Sequence, residues 1–194
     1  MAAFPPKSDH EKIIAELTEL CQFARKNGIM ALEAKAKAHT DPFTRKGLSL
    51  VVDGIDPAML LSIMETEVET FEEHAKIPIP VLEGAGAYAP TIGIIGTVMG
   101  LVHVLENLAA PEELGHLIAG AFVATLWGVM SANVIFLPLG NRLKRLGELE
   151  CTRMELTIEG IAAIQAGSNP RIVAQKLRSL LVGGGGGDDK AEAA

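Results

Sequence analysis

The side chains best suited to chemistry in this chain sit inside two apolar stretches. Thr97 and Thr125 lie near the inner half to middle of them, with Thr91, His103, Ser131 and Asn133 as the other polar groups. A threonine hydroxyl in such surroundings either bonds a carbonyl of its own helix or lines a wet path for an ion. Both readings stay open for Thr97 and Thr125. His103 falls in the outer half of its stretch and reads as an interfacial residue, with Glu106 three residues on. Pro90 and Pro138 are the other chemically distinct positions. A proline inside a helix leaves the carbonyl four residues earlier without its partner, here Val134 for Pro138. Pro90 is expected to mark a helix boundary, while at Pro138 the freed carbonyl either bends the helix as a hinge or binds water. No carboxylate occurs in either stretch. Membrane proteins that move cations hold a titratable group within the bilayer. If this chain takes part in ion movement, that group must come from another chain.

Other chemistries find no support. The two cysteines, Cys21 and Cys151, have no metal-ligand spacing, and reduced thiols are the expected state. No nucleophile–base pairing is visible, so an enzyme is not expected, nor is a cofactor or metal. The Gly-x-x-Gly-Thr run lies inside an apolar stretch and is no phosphate loop. A formal net charge of -7 argues against nucleic acid as a partner. Aromatic residues, at 4%, are too few for an ordinary enzyme core of this size.

The elements that position these residues are helices. From Gly84 to Leu105 only Tyr88 and His103 can ionise, and from Leu117 to Asn141 nothing can. Each stretch can cross a hydrocarbon core of ~30 Å as a helix. The spans are expected over about 87–108 and 117–139, joined by a loop carrying Glu106, Glu112 and Glu113. Lys76 precedes the first span, and Arg142, Lys144 and Arg145 follow the second. Basic residues favour the cytoplasmic side, so both termini are expected in the cytoplasm and the acidic loop outside. The spans also carry small-residue stripes: Gly93, Gly96 and Gly100 in the first, and Gly120, Ala124, Gly128 and Ala132 in the second. Lipid tails do not drive apolar helices together, so close packing relies on small contact residues. Helix contacts within the hairpin, and between subunits, are therefore expected.

The chain divides into a helical domain over 1–80, the two spans and their loop over 81–141, helices over 142–182, and a disordered glycine-rich tail over 183–194. The fold class is all-α. In the first domain Ile13, Ile14, Leu17, Leu20, Cys21 and Ala24 recur on one helical face, and Gly28 stops the helix. A short helix covers about 29–38. Asp41-Pro42 and Asp56-Pro57 each read as an N-cap followed by proline at the first helical position. The acidic face from Glu65 to Glu73 reads as solvated. Pro78 and Pro80 are expected to push their predecessors out of helical geometry and break the chain before the membrane. After the second span a helix continues to about Ala166, with an apolar set including Leu143, Leu146, Met154, Ile158 and Ile161. Asn169-Pro170 starts a last one. The N-terminus lacks a basic segment followed by an apolar run, so it does not read as a signal peptide.

Several segments resemble the MotA flagellar stator family. Ala89-Pro90-Thr91-Ile92-Gly93-Ile94-Ile95-Gly96-Thr97-Val98-Met99-Gly100 is similar to its third membrane helix. Ala124-Thr125-Leu126-Trp127-Gly128 and Asn133-Val134-Ile135-Phe136-Leu137-Pro138 are similar to its fourth. Gly-x-x-Gly-Thr-x-x-Gly alone would fit the wider MotA/TolQ/ExbB group. Ala24-Arg25-Lys26-Asn27-Gly28 with Ala31-Leu32-Glu33 resembles the MotA cytoplasmic loop more specifically.

The resemblance implies a homo-oligomeric ring in the bacterial inner membrane, expected to be a pentamer. It surrounds a MotB-like partner whose aspartate carries the proton or sodium ion, and it pushes on the rotor protein FliG. Carried over residue by residue, it implies channel-facing roles for Thr97 and Thr125 and conformational coupling at Pro90 and Pro138. It also implies rotor contact at Arg25, Lys26 and Glu33. Family members have two more membrane helices ahead of the cytoplasmic domain, and this sequence opens close to that domain. A fragment, a displaced start and a naturally short form are all compatible with this. A TolQ/ExbB-type energiser of envelope transport and a non-conducting membrane adaptor remain the alternative functions.

Overall fold

A computed structural model describes residues 10–109 and 111–184. These residues are helical, with no strand among them. The helices are α1 (His10–Asn27), α2 (Leu32–Ala38) entered through a 3-10 turn at Ile29–Ala31, α3 (Pro42–Val52), α4 (Pro57–Lys76), α5 (Pro78–Glu106), α6 (Pro111–Met130), α7 (Leu137–Gln165) and α8 (Pro170–Gly184). A π-helical segment, Ser131–Phe136, lies between α6 and α7. The chain separates into two compact units: a hairpin unit from Glu73 to Gly147, and a core unit formed from the segments on either side.

The core unit joins segments far apart in sequence. Ile14, Leu17, Leu20, Cys21 and Ala24 of α1 share one cluster with Leu32 and Ala36 of α2, and Phe43, Leu48 and Val51 of α3. Leu60 and Met64 of α4 complete it together with Met154, Leu156, Ile158, Ile161 and Ile164 of α7, and Val173 and Leu177 of α8. The expected apolar face of α1 is thus the buried one. In α7 the expected set is only partly buried: Leu143 and Leu146 stay exposed, while Met154, Ile158 and Ile161 are buried. Gly160 and Gly47 are the tight points. An added Cβ at Gly160 would stand 2.7 Å from Leu17, and one at Gly47 would stand 2.3 Å from Ile161.

Helix ends follow the sequence signals. The Asp41 carboxylate accepts the Thr44 N–H at 2.8 Å and the Thr44 hydroxyl at 2.6 Å, capping α3. The Asp56 carboxylate accepts the Ala58 N–H at 2.9 Å and caps α4. α7 is closed off by Gly167, two residues past its end, whose φ of 65° favours a residue without a Cβ. There Ser168 N–H reaches Ala163 O at 3.0 Å and Gly167 N–H reaches Ile164 O at 3.1 Å, the paired bonds of a Schellman end. α8 runs to Gly184, so the first two glycines of the expected tail are helical, while 185–194 lies outside the described residues.

In the hairpin unit the pattern of burial is reversed. The buried residues are small: Gly86, Gly93, Ala121, Ala132 and Gly140, with Val104. The large apolar side chains point outward, among them Ile92, Met99, Phe122 and Trp127, all more than 60% exposed. Such a surface requires lipid or other apolar helices around it. Two helical runs, Pro57–Glu106 and Glu112–Gln165, contain segments long and apolar enough to cross a membrane.

Two local expectations are overturned. Pro78 and Pro80 do not force their predecessors out of helical geometry: Ile77 keeps φ -56° and ψ -46°, and Ile79 is inside α5. Both prolines occupy the first turn, where a helix needs no N–H from them. The interruption shrinks to the single turn residue Ile77. Pro90, in consequence, is no boundary. α5 begins twelve residues earlier, and Pro90 lies in its interior.

Candidate functional site

The two hydroxyls singled out in the sequence meet. Thr97 Oγ1 and Thr125 Oγ1 are in direct hydrogen-bond contact between α5 and α6. Thr97 Oγ1 is also 3.0 Å from Ala121 O and 3.2 Å from Gly93 O, and Thr125 Oγ1 is 3.3 Å from Gly93 O. Each hydroxyl has one proton to give, so two donations serve three acceptors: two carbonyls and a hydroxyl. Both residues are partly exposed. The pair is therefore a small polar cluster with acceptor capacity left over, set in an apolar helix pair.

Small residues bring the helices close enough for this contact. A Cβ added at Gly93 would stand 2.9 Å from Ala124 O and 3.1 Å from Thr125 Cα. One at Gly128 would stand 2.7 Å from Ala89 O and 3.0 Å from Gly93 Cα. Gly96 faces the Ala124 Cβ at 2.9 Å, and Gly100 faces the Ala121 Cβ at 2.6 Å. The first stripe is thus the contact face of α5. The second is displaced from its expected register: Ala121, Ala124, Gly128 and Ala132 face inward, while Gly120 has nothing within 4 Å. The reason is helical spacing. From Ala121, steps of three and four reach Ala124 and Gly128, and Gly120 falls beside that line. A spacing of four in the sequence concealed Ala121.

The prolines act on the same helices lower down. The turn before Pro138 widens into the π segment, where Leu137 N–H bonds to Ala132 O, five residues back. Ser131 Oγ donates to Gly128 O at 3.0 Å, and Asn133 Nδ2 donates to Val129 O at 2.9 Å. Widened turns of this kind solve the backbone problem set by a missing N–H. Pro90 disturbs the carbonyl four residues before it, that of Gly86. Gly86 packs on the π segment's end: its missing Cβ would lie 2.7 Å from Leu137 Cδ2 and 3.6 Å from Phe136 Cβ. Neither Gly86 nor Leu137 carried a sequence signal of its own.

Away from the spans, Arg25 and Lys26 end α1, exposed to solvent. Gly28 follows with φ 85°, and the chain turns into α2, where Glu33 lies in the first turn. The turn places the three charged residues on successive elements, all three exposed. Glu33 Oε1 accepts from Lys37 Nζ at 2.6 Å, one helical turn on. That hydrogen bond holds the Glu33 carboxyl below the usual carboxylate range, and the Lys37 ammonium above its usual one. Arg25 and Lys26 form no ion pair among the described residues. Arg153 of α7 bonds the Asp41 cap at 3.0 Å and Glu150 at 2.6 Å. Burial pushes the Asp41 carboxyl up, but the hydrogen bonds from Arg153 and Thr44 outweigh it and leave its pKa lowered. Among the described residues no group of three or more His, Cys, Asp or Glu could hold a metal.

Comparison with known proteins agrees with this architecture. The model of the MotA/TolQ/ExbB proton channel family matches residues 35–156. Motility protein A of Bacillus subtilis is 39% identical over 171 residues, which cover 88% of this chain and 63% of that protein. Motility protein A of Helicobacter pylori is 38% identical over 179 residues, 92% of this chain and 70% of that protein. The flagellar MotAB stator complex from Bacillus subtilis superposes with a TM-score of 0.82 at 37% identity, covering 91% of this chain and 69% of that one. The chain thus spans under two-thirds of the length of the Bacillus relative. With the family model matching well over half of its residues, the chain belongs to the MotA/TolQ/ExbB proton channel family.

Proposed function

We propose that the chain is a MotA-type stator subunit of the bacterial flagellar motor, coupling proton or sodium flow to rotation. The observation that carries this is the Thr97–Thr125 pair: polar oxygens with spare acceptor capacity, in spans that contain no carboxylate. A bare charge at mid-bilayer costs at least ~2.5 kcal/mol, so a carrier group there needs such neighbours. The carrier is an aspartate on a MotB-like partner, and the support for that partner is the likeness to solved MotAB complexes. The chain resides in the bacterial inner membrane with both termini in the cytoplasm, as its basic flanks favour. Copies of it form a ring, expected to be pentameric, around the partner, with lipid on the outer faces.

In this scheme the hydroxyl pair lines the ion path, and Pro90 and Pro138 let the helices change shape as the ion passes. Arg25, Lys26 and Glu33 contact the rotor protein FliG. The small-residue face of α5 and α6 holds the hairpin together, and Gly120 is free for a neighbouring subunit. Complementation tests the proposal. The chain, joined to the part of a Motility protein A relative that it does not cover, should restore swimming to a strain lacking that protein. No swimming with the fusion present in the membrane beside its partner would refute it.

A further inference from the structure

The end of α1 and the start of α8 enclose a groove of about 530 Å³, lined by Gln22, Arg25, Lys26, Asn169, Pro170 and Arg171. Its third cation comes from 145 residues further along the chain than Lys26. Its placement is built rather than accidental. The Cys21 thiol, one helical turn before Arg25, reaches Ser168 O at 3.4 Å and ties the α7–α8 turn to α1. Asn169 caps α8, its side-chain oxygen accepting the Arg171 N–H at 3.0 Å. Its main-chain carbonyl accepts the Ile172 and Val173 N–H groups at 2.9 and 3.0 Å. Arg171 is therefore fixed in the first turn, facing the same opening as Arg25 and Lys26.

What sets this groove apart is the grouping of three cations with no ion pair, since Arg45, the comparable exposed cation of the core unit, does not line it. Lys35, Lys37, Lys46, Arg153, Lys176 and Arg178 are each paired with a carboxylate. Arg25, Lys26 and Arg171 have no ion pair among the described residues, and all three are exposed. No acidic residue lines the groove. In a chain of net charge -7, three unneutralised cations around one opening mark a surface whose counter-charge lies elsewhere.

We infer that Arg171, with Arg25 and Lys26, forms one basic docking groove for an acidic segment of a partner protein. The inference rests on the proposal that this side of the chain meets a rotor protein, and it adds α8 to the contact and defines the charge of what docks. The guanidinium of Arg171 takes a carboxylate in a two-pronged bond, while Arg25 and Lys26 steer the segment into register.

A fluorescein-labelled octaglutamate peptide, titrated against the full chain in neutral detergent, tests this by anisotropy at low and high salt. The peptide should bind at 50 mM salt and weaken as salt rises. Arg171→Glu and Arg25→Glu should each weaken binding about tenfold. Arg45→Glu, a reversal of an exposed cation outside the groove, should change it less than twofold. An equal loss in all three variants, or no binding by the unaltered chain, overturns the inference. So does displacement of the peptide by phosphatidylglycerol vesicles or by inorganic phosphate at matched ionic strength, since the groove would then be a lipid or small-anion site. Peptide binding and swimming are separate readouts. Failure here with swimming restored removes the groove alone, and failed swimming with groove binding intact removes the stator proposal alone.

Discussion

Gly86 and Leu137 are in contact where both apolar helices depart from regular hydrogen bonding. Gly86 is the residue whose carbonyl Pro90 disturbs, and Leu137 precedes Pro138 and bonds five residues back. The two prolines, 48 residues apart, thus act on one shared contact.

That contact predicts the behaviour of Pro138→Ala. Alanine returns the missing N–H, so the π segment should revert to regular helix and stabilise by about 1–3 kcal/mol. Swimming speed in the complemented strain should fall, because the adaptable turn is gone. A higher melting temperature with unimpaired swimming would separate the π segment from function.

Packing of the hairpin predicts unequal effects of two alanine substitutions. Gly93→Ala drives a methyl into the Ala124 carbonyl and Thr125 backbone, which cannot swing aside, and should cost about 1–3 kcal/mol. Gly120→Ala meets open space in the isolated chain and should be neutral or mildly stabilising, by up to ~1 kcal/mol. Thermal unfolding in detergent, followed by circular dichroism, distinguishes them. Equal losses would contradict the assigned face.

Much of this was legible in the sequence. Spans, caps and the buried face of α1 follow from periodicity and from Asp-Pro pairs. The pairing of Thr97 with Thr125 was not, because a single hydroxyl gives no sign of whether it faces its own helix or the next. Ala121 was missed because a repeat of four, starting at Gly120, matched the simpler stripe. Pro90 was misplaced because the charged, proline-containing stretch before the span looks like a break, although prolines in a first turn permit a helix to begin. Arg171 showed nothing, since its neighbours come from the opposite end of the chain.

Acid should loosen the α3 start in a defined window. The folded pKa of Asp41 is lowered, so its contribution is present above the unfolded value of ~3.9 and is lost as pH falls through the lower folded value. Asp41→Asn keeps an acceptor at the cap but loses the charge facing Arg153, and should cost about 1 kcal/mol at neutral pH. Protection of the first α3 amides against hydrogen exchange, relative to the intrinsic rate at each pH, should fall below pH ~4 in the unaltered chain and show a weaker pH dependence in the variant. An identical acid response in both would refute the role given to Asp41.

Topology gives a further test. A cysteine replacing Glu113 should react with a membrane-impermeant maleimide on intact cells, and one replacing Ser179 should react only after lysis. Labelling at position 179 from outside would reverse the orientation.

Ion flux in proteoliposomes tests the central claim most directly, that the chain supplies an ion path but not the carrier. The chain, extended by the part of the relative that it does not cover, should pass no protons or sodium alone. It should leak when a MotB-type partner is included, and the leak should vanish when that partner's aspartate becomes alanine. Flux from the chain alone, or undiminished flux after the aspartate is removed, would contradict the account.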